Sequence, residues 1–306
     1  MEQSFLAYLR GRTRGLPQVA VGIGDDAAVI QTPWSDTVAC TDQIIDGVDF
    51  ESTGHELSDV GYKAMVINLS DIAAMGAQPD SALVTLSLPR ENATKIAGDV
   101  YEGIIEAAKQ FNVAIAGGDL STYEGPLAIS VTLLGHVSGG VPWLRSGAVE
   151  GDVVLASGSF GGSISGRHLR PTPRLELAAA VRELANVHAA IDVSDGLSLD
   201  LDRMCASSGF GVELDVDAIP IHHDAIKLSA KTGRTPFQHA WSDGEDFELL
   251  LAVPPGDAER LLAADLPAPL TAIGKIVGRT GLWKNQNGKF LRLAPQGYVH
   301  EEPGAL

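Results

Sequence analysis

Ser81-Ala82-Leu83-Val84-Thr85-Leu86-Ser87-Leu88, the segment 93–111 and Val113-Ala114-Ile115-Ala116 follow one another along the chain. The first alternates apolar with small polar residues, the period of a strand that buries one face. The second sets Ile96, Val100, Ile104 and Ala107 on one helical face, with Phe111 closing the stripe. The third is a short apolar run suited to a strand. Working outward, further strands are expected over 27–31, 37–41 and 127–137. A helix is expected over 57–75, where Gly and Ala are frequent and would let it approach another backbone closely. The order strand, strand, helix, strand, helix, strand, strand predicts an α+β fold, a mixed sheet with helices on one face.

Gly139-Gly140-Val141-Pro142 breaks this pattern, and Glu150-Gly151-Asp152 opens a new strand over 153–157. The expected division is therefore 1–148 and 149–306. The second half reads as an α/β domain. Helices are expected over 175–186, 197–207 and 258–264, and strands over 190–193, 211–215, 247–253 and 270–277. The segment 282–293 reads as a hairpin turning at Asn285-Gln286-Asn287-Gly288.

The chain has 306 residues, 45% hydrophobic and 20% charged, the composition of a globular protein with room for two cores. A net charge of −17 argues against a nucleic-acid or anionic-membrane surface. The two cysteines, Cys40 and Cys205, build neither a disulfide framework nor a four-thiolate zinc site, which fits a reducing cytoplasm. The N-terminus shows no secretory pattern and no apolar run is long enough to span a membrane.

Five aspartate motifs carry the chemistry: Gly22-Ile23-Gly24-Asp25-Asp26, Thr41-Asp42, Asn68-Leu69-Ser70-Asp71, Gly117-Gly118-Asp119 and Asp192-Val193-Ser194-Asp195-Gly196. Any one of them also fits a turn or a helix cap. Asn68 and Asp71 share the face of an apolar helix, where burial is costly unless they are hydrogen-bonded or metal-bound. Thr41-Asp42 is expected at a strand end, and Gly117-Gly118-Asp119 at a turn that ends the strand before it and offers amides to an anion. Asp195 is placed to cap the helix that follows. Carboxylates gathered in one place require cations, and oxygen-only ligands favour magnesium, which usually arrives with substrate phosphates. A site holding a nucleotide through several magnesium ions is the expectation. The acidic run Asp243-Gly244-Glu245-Asp246-Phe247-Glu248 fits either a site or a solvated loop. His222-His223, and His168 with His188, lack a companion ligand pattern and read as surface or structural residues.

In this order the motifs resemble those of the thiamine-monophosphate kinases, within the aminoimidazole-ribonucleotide-synthetase-like superfamily. The most specific stretch is Tyr62-Lys63-Ala64-Met65-Val66-Ile67-Asn68-Leu69-Ser70-Asp71-Ile72-Ala73-Ala74-Met75-Gly76-Ala77-Gln78-Pro79, joined by Leu144-Arg145-Ser146-Gly147-Ala148 and Gly244-Glu245-Asp246-Phe247-Glu248-Leu249. The resemblance implies ATP-dependent phosphorylation of thiamine monophosphate, a homodimer whose first-domain sheets close a barrel, and ATP in a cleft between domains. It implies magnesium ligands at Asp25, Asp26, Thr41, Asp42, Asp71, Asp119, Asp192 and Asp195. ATP contacts are implied at Phe111, Gly118, Asp119, Arg145 and Ser194, and contacts to the thiamine substrate at Glu245 and Tyr298. Asp49 stands in Gly47-Val48-Asp49-Phe50 where the family carries a substrate-contacting His. No covalent or general-base residue is expected, because a phosphate monoester acceptor is largely deprotonated near neutral pH. The alternative is another ATP-using enzyme of the superfamily with a different acceptor.

Overall fold

The alternation over 81–88 resolves into a strand longer than its pattern, because small polar residues on its outer side tolerate water while the inner side packs. The computed structural model describes residues 11–12, 19–21, 29–30 and 37–299, and two units separate by their internal contacts. The first comprises Met1–Ile72, Ala77–Val141 and Leu169–Thr172; the second comprises Ala73–Gly76, Pro142–His168 and Pro173–Leu306.

In the first unit β1 (Val19–Val21) and β2 (Val29–Ile30) form an antiparallel pair. Four longer strands, β3 (Thr37–Ile45), β4 (Gln78–Pro89), β5 (Ala114–Tyr123) and β6 (Ala128–His136), make a sheet in the order β3-β6-β4-β5. Only the β4–β5 pair of this sheet is parallel, so it is mixed as expected. Along β4 the residues Ala82, Val84, Leu86 and Leu88 are buried, while Leu83 and Thr85 are exposed. Helix α1 (Leu57–Ala74) reaches the sheet through Asn68 at Asp42 and Ile72 at Gly135, and the buried side meets α2 (Ala93–Gln110). Glycines bring these helices together. A Cβ on Gly61 would lie 1.9 Å from the Val100 carbonyl oxygen, and one on Gly103 would lie 1.7 Å from that of Ser58.

Two expectations are corrected here. The strand after α2 does not end at residue 116: β5 runs on to Tyr123, so Asp119 sits inside a strand paired with Thr85. Gly118 permits this, since a Cβ there would lie 1.7 Å from the Val84 carbonyl oxygen at a φ of +153°. Likewise β3 continues past residue 41 to Ile45, which places Thr41 and Asp42 within the strand rather than at its end. Polar residues hid both extensions from a pattern read on apolar runs.

The second unit is built on a seven-stranded sheet. Its strands are β7 (Val153–Ser157), β8 (Ala189–Asp192), β9 (Gly211–Leu214), β10 (Leu249–Val253), β11 (Leu270–Val277), β12 (Gly281–Gln286) and β13 (Lys289–Leu293), in the order β13-β12-β9-β11-β7-β10-β8. The helices are α3 (Leu175–Leu184), α4 (Leu197–Ser208), α5 (His223–Thr232), α6 (Pro236–Ser242) and α7 (Pro255–Ala263). Val154, Ala156, Ile191, Leu250 and Ile273 of the sheet meet Leu197, Leu201, Met204 and Trp241 in one core. Helix α5 buries Ala225, and α6 packs Phe237, Ala240 and Trp241 against the core. The start of α6 carries a sequence signature, as Thr235 and Gln238 form a capping box with Pro236 at the first helical position between them. Among the described residues no helix is long and apolar enough to cross a membrane.

Candidate active site

In the first unit the site begins at Asn68, fully buried in α1. Its Oδ1 accepts the Asp42 amide at 3.1 Å and its Nδ2 donates to the Ala64 carbonyl at 3.1 Å. The Cys40 thiol donates to the Asn68 carbonyl at 3.4 Å. Hydrogen bonds therefore meet the cost of burying this amide, and Asn68 serves to lock β3 against α1 next to Asp42. Asp71 follows one turn later and is half-buried. Past the end of β3, the Asp49 carboxylate accepts the Ile45 amide at 2.8 Å, and its carbonyl accepts Lys63 Nζ at 2.9 Å. Asp49 closes this turn.

Neighbouring residues of a strand point to opposite faces. Asp42 shares the side of buried Val38 and Ile44, whereas Thr41 is exposed on the other, its hydroxyl donating to Val131 and meeting Thr132 at 3.0 Å. Asp119 is exposed beside Thr85, on the face that Thr41 occupies. It also lies on the opposite edge strand, three strand spacings or ~14 Å from β3. The structure thus brings Asp42 to Asn68 on the helix-covered side and leaves Thr41 and Asp119 on the open face. Phe111 closes α2 as its C-cap residue, half-buried. Asp25 and Asp26 lie outside the described residues.

In the second unit the turn from β8 into α4 has every backbone group assigned, as a buried segment requires. The Val193 amide donates to the Glu248 carbonyl, and its own carbonyl accepts the Phe247 amide, both at 2.8 Å. The carbonyls of Ser194 and Asp195 accept the amides of Glu245 at 2.7 Å and Tyr298 at 2.8 Å; that of Gly196 accepts the Asp200 amide at 3.0 Å. Asp200 Oδ2 accepts the three amides of Ser194, Asp195 and Gly196 at 3.1, 2.9 and 3.2 Å. Burial pushes the Asp200 carboxyl up to about 6, against the pull of those amides and of Arg203. Arg203 Nη1 donates to Asp200 Oδ1 at 2.7 Å and to Asp195 Oδ2. Asp192, Ser194, Asp195, Glu245 and Tyr298, spread over 107 positions of sequence, are thereby fixed around one turn. The expected capping role of Asp195 is corrected: Gly196 is the N-cap residue without a side-chain cap, and Asp200 serves the amides instead.

The run 243–248 is no solvated loop. Glu245 and Phe247 both hold φ of +52°, a strained region for residues other than glycine. Buried carboxylates hold them there. Asp246 accepts the Gly161 amide on both oxygens at 3.0 Å and Arg167 at 2.9 Å. Glu248 accepts the Ser157 hydroxyl at 2.5 Å and is gripped by both Nε and Nη2 of Arg174. Asp243 takes the Gly162 amide at 3.0 Å, Arg234 and His239. Burial pushes the Asp246 carboxyl up to about 7.

Sequence reasoning missed Asp200, Arg203, Arg167 and Arg174 as site-shaping residues. An acidic residue in the first turn of α4 was the available signal for Asp200. Arg145 is exposed, and its carbonyl accepts the Ser208 hydroxyl at 3.4 Å. His168 is buried against the Ser163 carbonyl and His188 pairs with Asp152, as structural residues do. For His222-His223 the companion overlooked in sequence is Asp224, with ligand atoms of all three within 4.8 Å. His222 Nδ1, however, accepts the Asp224 amide as the cap of α5.

The two halves match two descriptions in turn: AIR synthase related protein, N-terminal domain, over residues 24–137, and its C-terminal domain over 149–282. A thiamine-monophosphate kinase from Rhodopirellula baltica is 63% identical over 99% of this chain and 98% of its own length. The solved thiamine-monophosphate kinase of Stenotrophomonas maltophilia K279a is 33% identical, with a TM-score of 0.78 over 91% of this chain and 95% of that one. A structure described as AaThiL complexed with AMPPCP and TMP is 26% identical, with a TM-score of 0.77 over 98% and 96% of the two chains. The chain belongs to the thiamine-monophosphate kinases of the AIR synthase related family.

Proposed function

We propose that this protein transfers the terminal phosphoryl group of ATP to thiamine monophosphate, giving thiamine diphosphate and ADP. The observation that carries the reading is the turn over 192–196, which fixes three candidate nucleotide and metal groups beside Glu245 and Tyr298, the candidate thiamine contacts. Relatives named for this reaction, and a neighbour solved with AMPPCP and TMP, support it.

The donor set fits magnesium. Its donors are all oxygens, carboxylates joined by the Thr41 hydroxyl, the ligand type that magnesium takes. Magnesium ions would be held by Asp42 and Asp71 in the first unit, with Asp25 and Asp26 as further ligands, and by Asp192 and Asp195 in the second. Bound magnesium supplies the charge that lets two phosphate anions approach in line. The chain's own part is to keep those carboxylates still. Ser194 and Gly118 would contact ATP, Phe111 would lie near it, and Arg145 would add a fixed positive charge to its phosphates. The acceptor arrives deprotonated, so no side chain need remove a proton.

A homodimer formed through the first unit belongs to the same reading. The sheet leaves one face open, with Ala39, Thr41, Gln43, Leu83 and Thr85 exposed, and both edges are strands of nine residues or more. Thr41 and Asp119 lie on that face and would join the site from there. The chain carries two cysteines, and such low cysteine use accords with work in a cytoplasm. The test is direct: purified protein, ATP, magnesium and thiamine monophosphate, with thiamine diphosphate followed by chromatography. ATP consumed only with another acceptor would overturn the reading.

A further inference from the structure

We propose that Asp200 is a positioning residue for the phosphoryl transfer. It holds the turn at 193–196 by three backbone amides in the shape that presents Asp192, Ser194 and Asp195, while Arg203 ties the Asp195 carboxylate to the same anchor. The proposal rests on the reading of Asp195 as a magnesium ligand.

Three successive amides at the start of a helix form a ready anion site. Here the anion comes from the chain: Asp200, 1% exposed, brings one oxygen within 3.2 Å of all three. Those amides are spent, so this turn meets a ligand through its side chains. The second Asp200 oxygen takes Arg203 Nη1, and the same nitrogen reaches Asp195. Amide, carboxylate, guanidinium and ligand carboxylate thus form one unbroken chain of hydrogen bonds. Both Asp200 oxygens and their charge are needed. An asparagine offers one acceptor, and must turn its NH2 either toward the three amides or toward the guanidinium. Residues that orient ligands in this way change metal affinity when replaced, whereas a helix cap changes stability alone.

Three variants, Asp200→Asn, Arg203→Gln and Asp195→Asn, separate the possibilities. One measurement is amide exchange over 194–196 in the metal-free protein; the other is magnesium binding in the presence of a non-hydrolysable ATP analogue, set beside the magnesium requirement of turnover. Asp200→Asn is expected to unfold cooperatively, to exchange these amides about tenfold faster, and to need about tenfold more magnesium. Arg203→Gln is expected to keep wild-type exchange and to need more magnesium by a smaller factor. Fast exchange with unchanged magnesium affinity in Asp200→Asn would reduce Asp200 to a cap and overturn the proposal, as would unchanged exchange. Should Asp200→Asn fail to fold, Arg203→Gln decides, and wild-type magnesium affinity there overturns it. If Asp195→Asn binds magnesium like wild type, the metal reading itself fails and takes the proposal with it. A weakened Asp195→Asn beside an unaffected Asp200→Asn defeats the proposal alone.

Discussion

Replacing Gly103 by alanine sets two effects of opposite sign against each other on one helix. Alanine is the better helix former, so propensity alone predicts a gain of about 1 kcal/mol. Packing predicts the reverse. The new Cβ would stand 1.7 Å from the Ser58 carbonyl oxygen and 2.7 Å from the Tyr62 nitrogen, both backbone atoms that no rotamer change can move. Ordinary contact begins at 3.4 Å, so α1 and α2 must part by about 1.7 Å along that contact, or the backbone must bend. Overpacking of this kind costs roughly 1–3 kcal/mol when side chains can yield, and rigid backbone places the expected loss at the top of that range or above it. Gly98, in the same helix, has nothing within 4 Å of its would-be Cβ. Gly98→Ala should therefore stabilise by about 0.5–1 kcal/mol. Urea unfolding followed by circular dichroism measures both. Packing wins at one position and propensity at the other; a Gly103→Ala protein as stable as Gly98→Ala would refute the close helix crossing.

Asp42→Asn and Asp71→Asn keep side-chain shape but remove a ligand charge, so turnover should fail at limiting magnesium while circular dichroism shows the fold intact; near-normal turnover would sink the metal assignment. For Asp246, burial raises the folded pKa to about 7. A carboxyl whose folded pKa lies above its unfolded value of 3.8 contributes stability that is present below about pH 4 and lost as pH rises through 7. The wild type should therefore lose stability relative to Asp246→Asn across that window, by an amount on the order of a few kcal/mol; a pH-independent difference in denaturant midpoints would refute it. Asp49→Ala leaves the Ile45 amide without its acceptor, an expected loss of about 1–2 kcal/mol, whereas Asp49→Asn retains an oxygen there and should cost less. Equal unfolding midpoints for the two would show that the turn does not depend on this bond.

Much of the fold was legible because its strands and helices carry the periods of buried faces. The run 81–88 and the stripe Ile96, Val100, Ile104 place β4 and α2 directly. What sequence could not show was where strands continue through polar residues, as at Thr41-Asp42 and Gly117-Gly118-Asp119. There the ladder of a neighbouring strand, not local composition, sets the length. The aspartate motifs marked candidate residues, yet not the groups that support them. Asp200 serves amides 4 to 6 positions away and had a helix-start signal, but Arg167 and Arg174 matter through partners 79 and 74 positions away, and spacing carries no trace of such pairings. Asn68 shows the limit in another way: its burial was evident, but only the structure shows that its amide is spent on Asp42 and Ala64.

The bond from the Tyr298 amide to the Asp195 carbonyl has a consequence for the order of synthesis. Gln296 is likewise held by Ser198, its amide and carbonyl both bonded to that hydroxyl. During translation the turn at 192–196 emerges about a hundred residues before the segment that finishes it, an interval of roughly 5–20 s at ordinary elongation rates. A nascent chain that has made the strands β7 to β11 and much of its core still lacks the last closure of this turn. The second unit can thus gain most of its strands early while the turn over 192–196 waits for Tyr298 to be closed.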